Sequence, residues 1–323
     1  MASALFRELR PEEIGRVVTH ALHTQVRSAR LLTGGLFNTT YLVDTADQGR
    51  AVLRVGPVNR HLLMPFEHRL MEAETQVYTL CAQAGIPVSQ VLALDTSKAV
   101  IDRDYMLVRY IPSKPMNEVT LQSADKARIC EDVGRYTARM HAIHAPRFGR
   151  ITDVAQGGGF ARWSECMLDE LHSWESVADA AELYAPEEIA RMEAVFLRAA
   201  AHLDAIDTPC LVHTDLWFGN ILIDTQSPRP EVAAIIDADR ALWGDPEAEY
   251  SMIGWMHRED AFWKGYGRRP GNDTPSLIRR GIYELLVHLW NSYVYKREYN
   301  MPEEAMGEKR RALEQLKALE SMS

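Results

Sequence analysis

The sequence predicts an α+β fold in two lobes: a small one, residues 1–112, on a five-stranded antiparallel sheet with a helix, and a larger, mainly helical one, residues 113–323. Three observations carry this. Apolar and β-branched runs of strand length recur up to Ile111, and beyond it apolar residues repeat at three- and four-residue intervals. Pro112 stops the last strand-like run, because proline has no N–H to continue a ladder. With 323 residues, 46% hydrophobic and 25% charged, the chain can bury a sizeable core in one large domain or two lobes.

In the small lobe, residues 12–20 read as a helix and 26–32 as a strand running into Thr33-Gly-Gly-Leu-Phe-Asn-Thr-Thr40. Residues 38–43 and 51–55 are two more β-branched strands. Gly34 and Gly35 let a backbone approach phosphates closely, with Asn38 and Thr39 as side-chain donors, although a Gly-Gly turn between strands also suits a plain hairpin. Apolar spacing makes 69–84 a helix, and 86–94 and 105–111 complete the sheet.

In the larger lobe, 124–144 reads as a long helix, Gly157-Gly-Gly159 as a break, and 163–173 and 186–205 as further helices. Residues 275–296 and 302–319 are amphipathic. His141, alone on an apolar helix face, reads as structural. Asp245 before Pro246 suits a helix start, the carboxylate accepting backbone N–H groups.

Composition narrows the function. A net charge of -9 disfavours nucleic acid, and Lys309-Arg-Arg311 is short enough to be a solvated face. No run reaches membrane length and the N-terminus lacks a signal-peptide stretch, so a cytoplasmic protein with no membrane partner is expected, a monomer or homodimer. Cys81, Cys130, Cys166 and Cys210 are widely spaced and read as reduced core thiols.

The chemistry lies in Leu211-Val-His-Thr-Asp-Leu-Trp-Phe-Gly-Asn-Ile-Leu-Ile-Asp224 and Ala234-Ile-Ile-Asp-Ala-Asp239. Two apolar runs hold between them a loop carrying His213, Asp215 and, five positions on, Asn220; Asp237 leaves another buried strand. Phosphoryl transfer needs a carboxylate beside the attacking hydroxyl and oxygen ligands that keep Mg²⁺ on the phosphates. Asp215 suits the first role, Asn220 and Asp237 the second, one neutral and one charged. His213 reads as a scaffold for the loop backbone, and Asp239 either reaches the metal or braces the loop after Asp237.

His213-Thr-Asp215-Leu with Asn220, followed by Ile-Asp-Ala-Asp and Gly244-Asp245-Pro246, resembles the aminoglycoside phosphotransferase family of small-molecule kinases within the protein-kinase-like superfamily. Thr214 stands where protein kinases carry arginine, only seven residues separate Asp237 from Asp245, and no Ala-Pro-Glu follows, so a protein acceptor is disfavoured. The resemblance implies a protein-kinase-like fold and ATP with Mg²⁺. It places Arg54 where such kinases hold phosphates with lysine, Glu74 as its helix partner with Glu72 as near competitor, a hinge for adenine at Val108, Arg109, Tyr110 and Ile111, and Glu249 as a brace of the loop. The implied acceptor is a hydroxyl of a small polar molecule, an antibiotic first, with a metabolic choline, homoserine or sugar-amine kinase and a non-catalytic nucleotide-binding module as alternatives.

Overall fold

The computed structural model describes residues 3–32, 35–178, 182–252 and 256–322. Pro11 opens α1 (Pro11–Leu22), where its missing N–H costs nothing, and the Glu13 carboxylate takes the Arg10 N–H at 2.8 Å. Strands β1 (Val26–Leu32), β2 (Thr39–Thr45) and β3 (Arg50–Val55) follow, then α2 (Leu70–Gln83), β4 (Val91–Asp95) and β5 (Tyr105–Arg109). The five strands lie in the order β1-β2-β3-β5-β4, every pairing antiparallel. Alternation sorts the two faces: Tyr41, Val43, Leu53, Val55 and Leu107 pack under Ile14, Val17 and Val18 of α1, while Met106 and Val108 pack against Met71 of α2. Arg54, of opposite parity to Leu53 and Val55, emerges on the α2 side.

A short strand β6 (Lys114–Pro115) leads to α3 (Ser123–His141), β7 (Gly149–Arg150), α4 (Ile151–Ala155), α5 (Trp163–Ala178) and α6 (Pro186–Leu203). Then come β8 (Cys210–Val212), β9 (Ile221–Asp224), β10 (Glu231–Ile235), β11 (Leu242–Gly244), α7 (Ala248–Met252), α8 (Asp260–Tyr266), α9 (Thr274–Tyr293) and α10 (Pro302–Met322). Two three-stranded sheets, β10-β9-β6 and β7-β11-β8, hold the segment from 210 to 244. One apolar core joins α5, α6, α9 and α10 around Trp163, Trp174 and Leu286; another runs from Val77 and Cys81 of α2 through Ile129 and Val133 of α3 to Phe262 of α8.

Helices α3 and α8 cross at backbone contact. A β-carbon at Gly134 would lie 2.1 Å from Phe262 O, and one at Gly265 would lie 1.9 Å from Glu131 O. Glycine weakens a helix interior, so its presence at both crossing points is explained by the close approach. Gly134→Ala is expected to lower stability by about 1–3 kcal/mol through forced separation of the two helices. Urea unfolding checks this, and an unchanged midpoint would contradict so close a crossing.

The strand expected over 86–94 is shorter. Gly85, at φ +68°, turns the chain out of α2, Pro87 has no N–H for a ladder, and Pro87 O instead accepts the Ile235 N–H at 2.8 Å, so pairing with β5 begins only at Val91. The helix expected to reach Lys296 ends at Tyr293 and passes into a wider π turn, Val294–Glu298. All four cysteines are buried free thiols, Cys81 pushed up to about 12 by burial. Among the described residues no helix is long and apolar enough to cross a membrane.

Candidate active site

The loop between β8 and β9 is held from below by Glu249, at the start of α7. Its Oε2 accepts the His213 N–H at 2.7 Å and its Oε1 the Thr214 N–H at 3.1 Å, and His141 Nε2 lies 3.3 Å from Oε2. Thr214 sits at φ +69°, a conformation costly for a β-branched residue, and its hydroxyl donates to Arg240 O at 3.1 Å. The Asp215 N–H points to His213 Nδ1 at 3.3 Å, and His213 Nε2 lies 3.0 Å from Ile236 O. This pattern calls for the neutral ring with its proton on Nε2, spent on backbone. His141 is likewise occupied, with Nδ1 2.8 Å from the Tyr266 hydroxyl.

Asn220 closes a short 3₁₀ turn, Phe218–Asn220, and its Nδ2 donates to Asp215 O at 2.9 Å and to Asp215 Oδ2 at 3.0 Å. That leaves Oδ1 as its remaining ligand atom. The Asp215 carboxyl is pushed up to about 7 by burial and then by the charge of Asp237, with Arg240 and the Asn220 hydrogen bond opposing. Asp215 and Asp237 thus share one electrostatic environment.

Arg54 reaches across from β3. Its Nη1 donates to both Glu74 oxygens at 2.5 Å, Nη2 donates to Asp237 Oδ1 at 2.6 Å, and Asp239 Oδ2 lies 3.7 Å away. Glu74 is fully buried, whereas Glu72 turns to Arg69 Nε at 2.5 Å, so of the two acids Glu74 meets Arg54. One oxygen each from Glu74, Asp237 and Asp239 falls within 4.8 Å of the others. Burial, then the charges of Asp237 and Glu74, hold the Asp239 carboxyl well above its ordinary value.

Other expected residues fall differently. Gly34 lies outside the described residues. Gly35 has space for no more than its own turn, a β-carbon there lying 3.3 Å from Asn38 O. Asn38 Oδ1 is buried without a hydrogen-bond partner among the described residues. Thr39 shares parity with Tyr41 and Val43, is fully buried, and its hydroxyl donates to Arg7 O at 3.2 Å. At the hinge, Val108 is buried, and the N–H groups of Arg109 and Tyr110 are spent on Gln90 O at 2.8 Å and Arg50 O at 3.3 Å. Those two amides are committed to the sheet; Ile111 O accepts from the Ser113 hydroxyl at 2.9 Å.

Three contributors went unforeseen. The Tyr78 hydroxyl donates to Glu74 Oε1 at 2.6 Å and accepts the Asp237 N–H at 3.1 Å. Arg240 Nη2 donates to Glu67 Oε1 at 2.6 Å, tying the turn after Asp237 to the segment that leads into α2. Asp245, expected only to start a helix, does accept the Glu247 N–H at 2.9 Å, but its other oxygen takes Arg279 Nε at 3.0 Å and the Tyr283 hydroxyl at 2.8 Å.

The model of the phosphotransferase enzyme family matches residues 28–278. Acyl-CoA dehydrogenase family member 10 of Mus musculus is 26% identical over 226 residues, 68% of this chain, and a probable ketoamine kinase of Escherichia coli K12, YniA, is 28% identical over 200 residues, 58% of this chain. The chain spans 20% of the mouse protein and 63% of the E. coli one. Among solved structures, a thermostable mutant of aminoglycoside phosphotransferase APH(4)-Ia in ternary complex with AMP-PNP and hygromycin B superposes with a TM-score of 0.65 at 16% identity, covering 95% of this chain and 98% of its own. A candidate fructosamine-3-kinase from Thermobifida fusca YX-ER1 superposes at 0.61 with 20% identity, covering 93% of this chain and 98% of its own.

Proposed function

The chain belongs to the phosphotransferase enzyme family, and from that premise we propose that it moves the γ-phosphoryl group of ATP, with Mg²⁺, onto a hydroxyl of a small polar acceptor. The observation that carries this is the convergence of Asp215, Asn220, Asp237 and Arg54 from three parts of the chain, through the contacts Asn220 to Asp215 and Arg54 to Asp237 and the charge of Asp237 felt by Asp215. ATP would lie between the lobe of residues 1–112 and that of 113–323, its adenine against residues 108–111.

Asp215 accepts the hydrogen bond of the acceptor hydroxyl and takes its proton as the new P–O bond forms and the bond between the γ-phosphorus and the bridging oxygen breaks. ADP leaves directly, with no phosphorylated protein group. Arg54 donates its planar fork to phosphate oxygens while Glu74 holds it in place; its bulk and two-pronged geometry differ from the lysine of related kinases.

The donor set suits Mg²⁺, since Asp237, Asp239 and Asn220 Oδ1 are hard oxygen ligands. Glu74, already committed to Arg54 and Tyr78, positions rather than ligates. When bound, the ion screens the phosphate charge. Because the ligand-free Asp215 carboxyl sits at about 7, kcat/KM for the acceptor is expected to fall on the acid side of neutrality. A rate unchanged from about pH 8 to about pH 5 would contradict Asp215 as the base.

For the acceptor, the likeness to the probable ketoamine kinase of E. coli favours a ketoamine or other sugar amine, while the antibiotic reading rests on fold likeness alone, at 16–18% identity for the APH(4)-Ia structures. The test is ADP release with Mg²⁺ over a panel of fructosyl amines, aminoglycosides, amino alcohols and sugars. Stimulation by one class over the water background is expected; no stimulation by any hydroxylated compound would sink the enzyme reading.

A further inference from the structure

Asp237 adopts a left-handed backbone, φ 65° and ψ 41°, in which few non-glycine residues rest without support. This twist turns the chain out of β10 and points the carboxylate back at Arg54. The support comes from α2. Tyr78 lies one helical turn beyond Glu74, so both side chains share a face. Its hydroxyl does two jobs at once, donating to Glu74 Oε1 at 2.6 Å and accepting the Asp237 N–H at 3.1 Å. Its ring, 4% exposed, packs in the apolar cluster with Val77, Cys81 and Val133.

We propose that Tyr78 is a positioning residue for the cation: its hydroxyl fixes the backbone of Asp237 and the carboxylate of Glu74 together, so that α2 and the metal-binding turn move as one unit. The proposal rests on the reading of Asp237 as a metal ligand. No activation segment lies between Asp237 and Asp245, so the ties from α2 assemble this turn without one. Tyr78 acts through one oxygen atom, which separates its positioning role from the packing of its ring. Without that oxygen, the Asp237 N–H loses its acceptor, the twisted backbone relaxes toward extended geometry, and Glu74 Oε1 loses one of its two donors, Arg54 Nη1 being the other.

The test is Mn²⁺ binding by calorimetry to the full chain in the presence of a non-hydrolysable ATP analogue, comparing the parent with Tyr78→Phe, alongside hydrogen exchange at the Asp237 amide. Phenylalanine keeps the ring, so the melting temperature should shift by only a few degrees. Mn²⁺ binding should weaken about tenfold, which is about 1.4 kcal/mol, and exchange at Asp237 should quicken about tenfold. Equal Mn²⁺ affinity in parent and variant overturns the role of Tyr78 while leaving Asp237 as a ligand. A parent that binds no Mn²⁺ overturns the metal reading and this proposal with it. Unchanged exchange at Asp237 overturns the tie regardless of the metal result. If Tyr78→Phe fails to fold, the parent alone decides: its Asp237 amide must be protected relative to that of Ala238, and an unprotected amide overturns the proposal.

Discussion

Asp215→Asn is expected to lower turnover by about 10³-fold while raising thermal stability near neutral pH. The substitution keeps the shape, and Asn220 Nδ2 can still donate to the remaining side-chain oxygen, so the loop has no reason to rearrange. What disappears is the charge that accepts the hydroxyl proton. The stability effect follows from the direction of the shift. The Asp215 carboxyl sits at about 7 in the fold against 3.8 for an ordinary aspartate, so its contribution is fully present below about pH 4 and is lost as pH rises through 7. At pH 8 the ionised group opposes folding, and its removal should stabilise the metal-free protein by about 1–2 kcal/mol, solvent at the partly exposed group screening the rest. Melting curves of parent and variant at pH 5 and pH 8 check the sign: the gain should be larger at pH 8. A variant that melts lower at pH 8 and still turns over would contradict both parts.

Glu249→Ala should cost about 3–5 kcal/mol and remove activity even in the folded fraction. Glu249 accepts two backbone N–H groups and faces His141. Without it, two buried amides lose partners and Thr214 loses the clamp that holds it at φ +69°. Asp215, the next residue, then loses its aim. Burial alone would push the Glu249 carboxyl up, but the hydrogen bond and charge of His141, with the His213 amide, hold it below its ordinary value. Its contribution is therefore present above about pH 4.5 and lost as pH falls through the lowered value, so the variant should be less sensitive to mild acid than the parent. Urea unfolding at several pH values measures both effects. Equal midpoints for parent and variant would show the loop to be held by something else.

How much of this was legible in the sequence depends on how local each feature is. Asp215 and Asn220 sit on one stretch between apolar runs and Asp237 leaves the next buried strand, so local spacing together with the family resemblance grouped them. The middle of the five-stranded sheet was legible because β2 and β3 alternate cleanly, as in Tyr41 and Val43 against Leu42 and Asp44; the other strands were legible as apolar and β-branched runs. The same alternation gives Thr39 the parity of the core residues, which the reading of it as a phosphate donor did not take into account. The hinge amides could not be judged because Gln90 O and Arg50 O compete for them only once the strands pair. Tyr78 and the Glu67 to Arg240 tie were invisible for a different reason. Their partners lie 159 and 173 residues away, and no periodicity reports which side chains meet across a fold. The crossing of α3 and α8 left a faint signal, two glycines inside helical stretches, whose meaning appears only when the backbones touch.

The central claim is direct transfer of a phosphoryl group from ATP to an acceptor hydroxyl at Asp215. The most direct measurement is phosphorus NMR and mass spectrometry of the acceptor after incubation with the full chain, Mg²⁺ and ATP, using the compound that most stimulates ADP release. The expected result is one phosphate monoester on the acceptor for each ADP released, with the protein unmodified and no product from Asp215→Asn. ADP released with only free phosphate, or phosphate retained on the protein, would contradict the account.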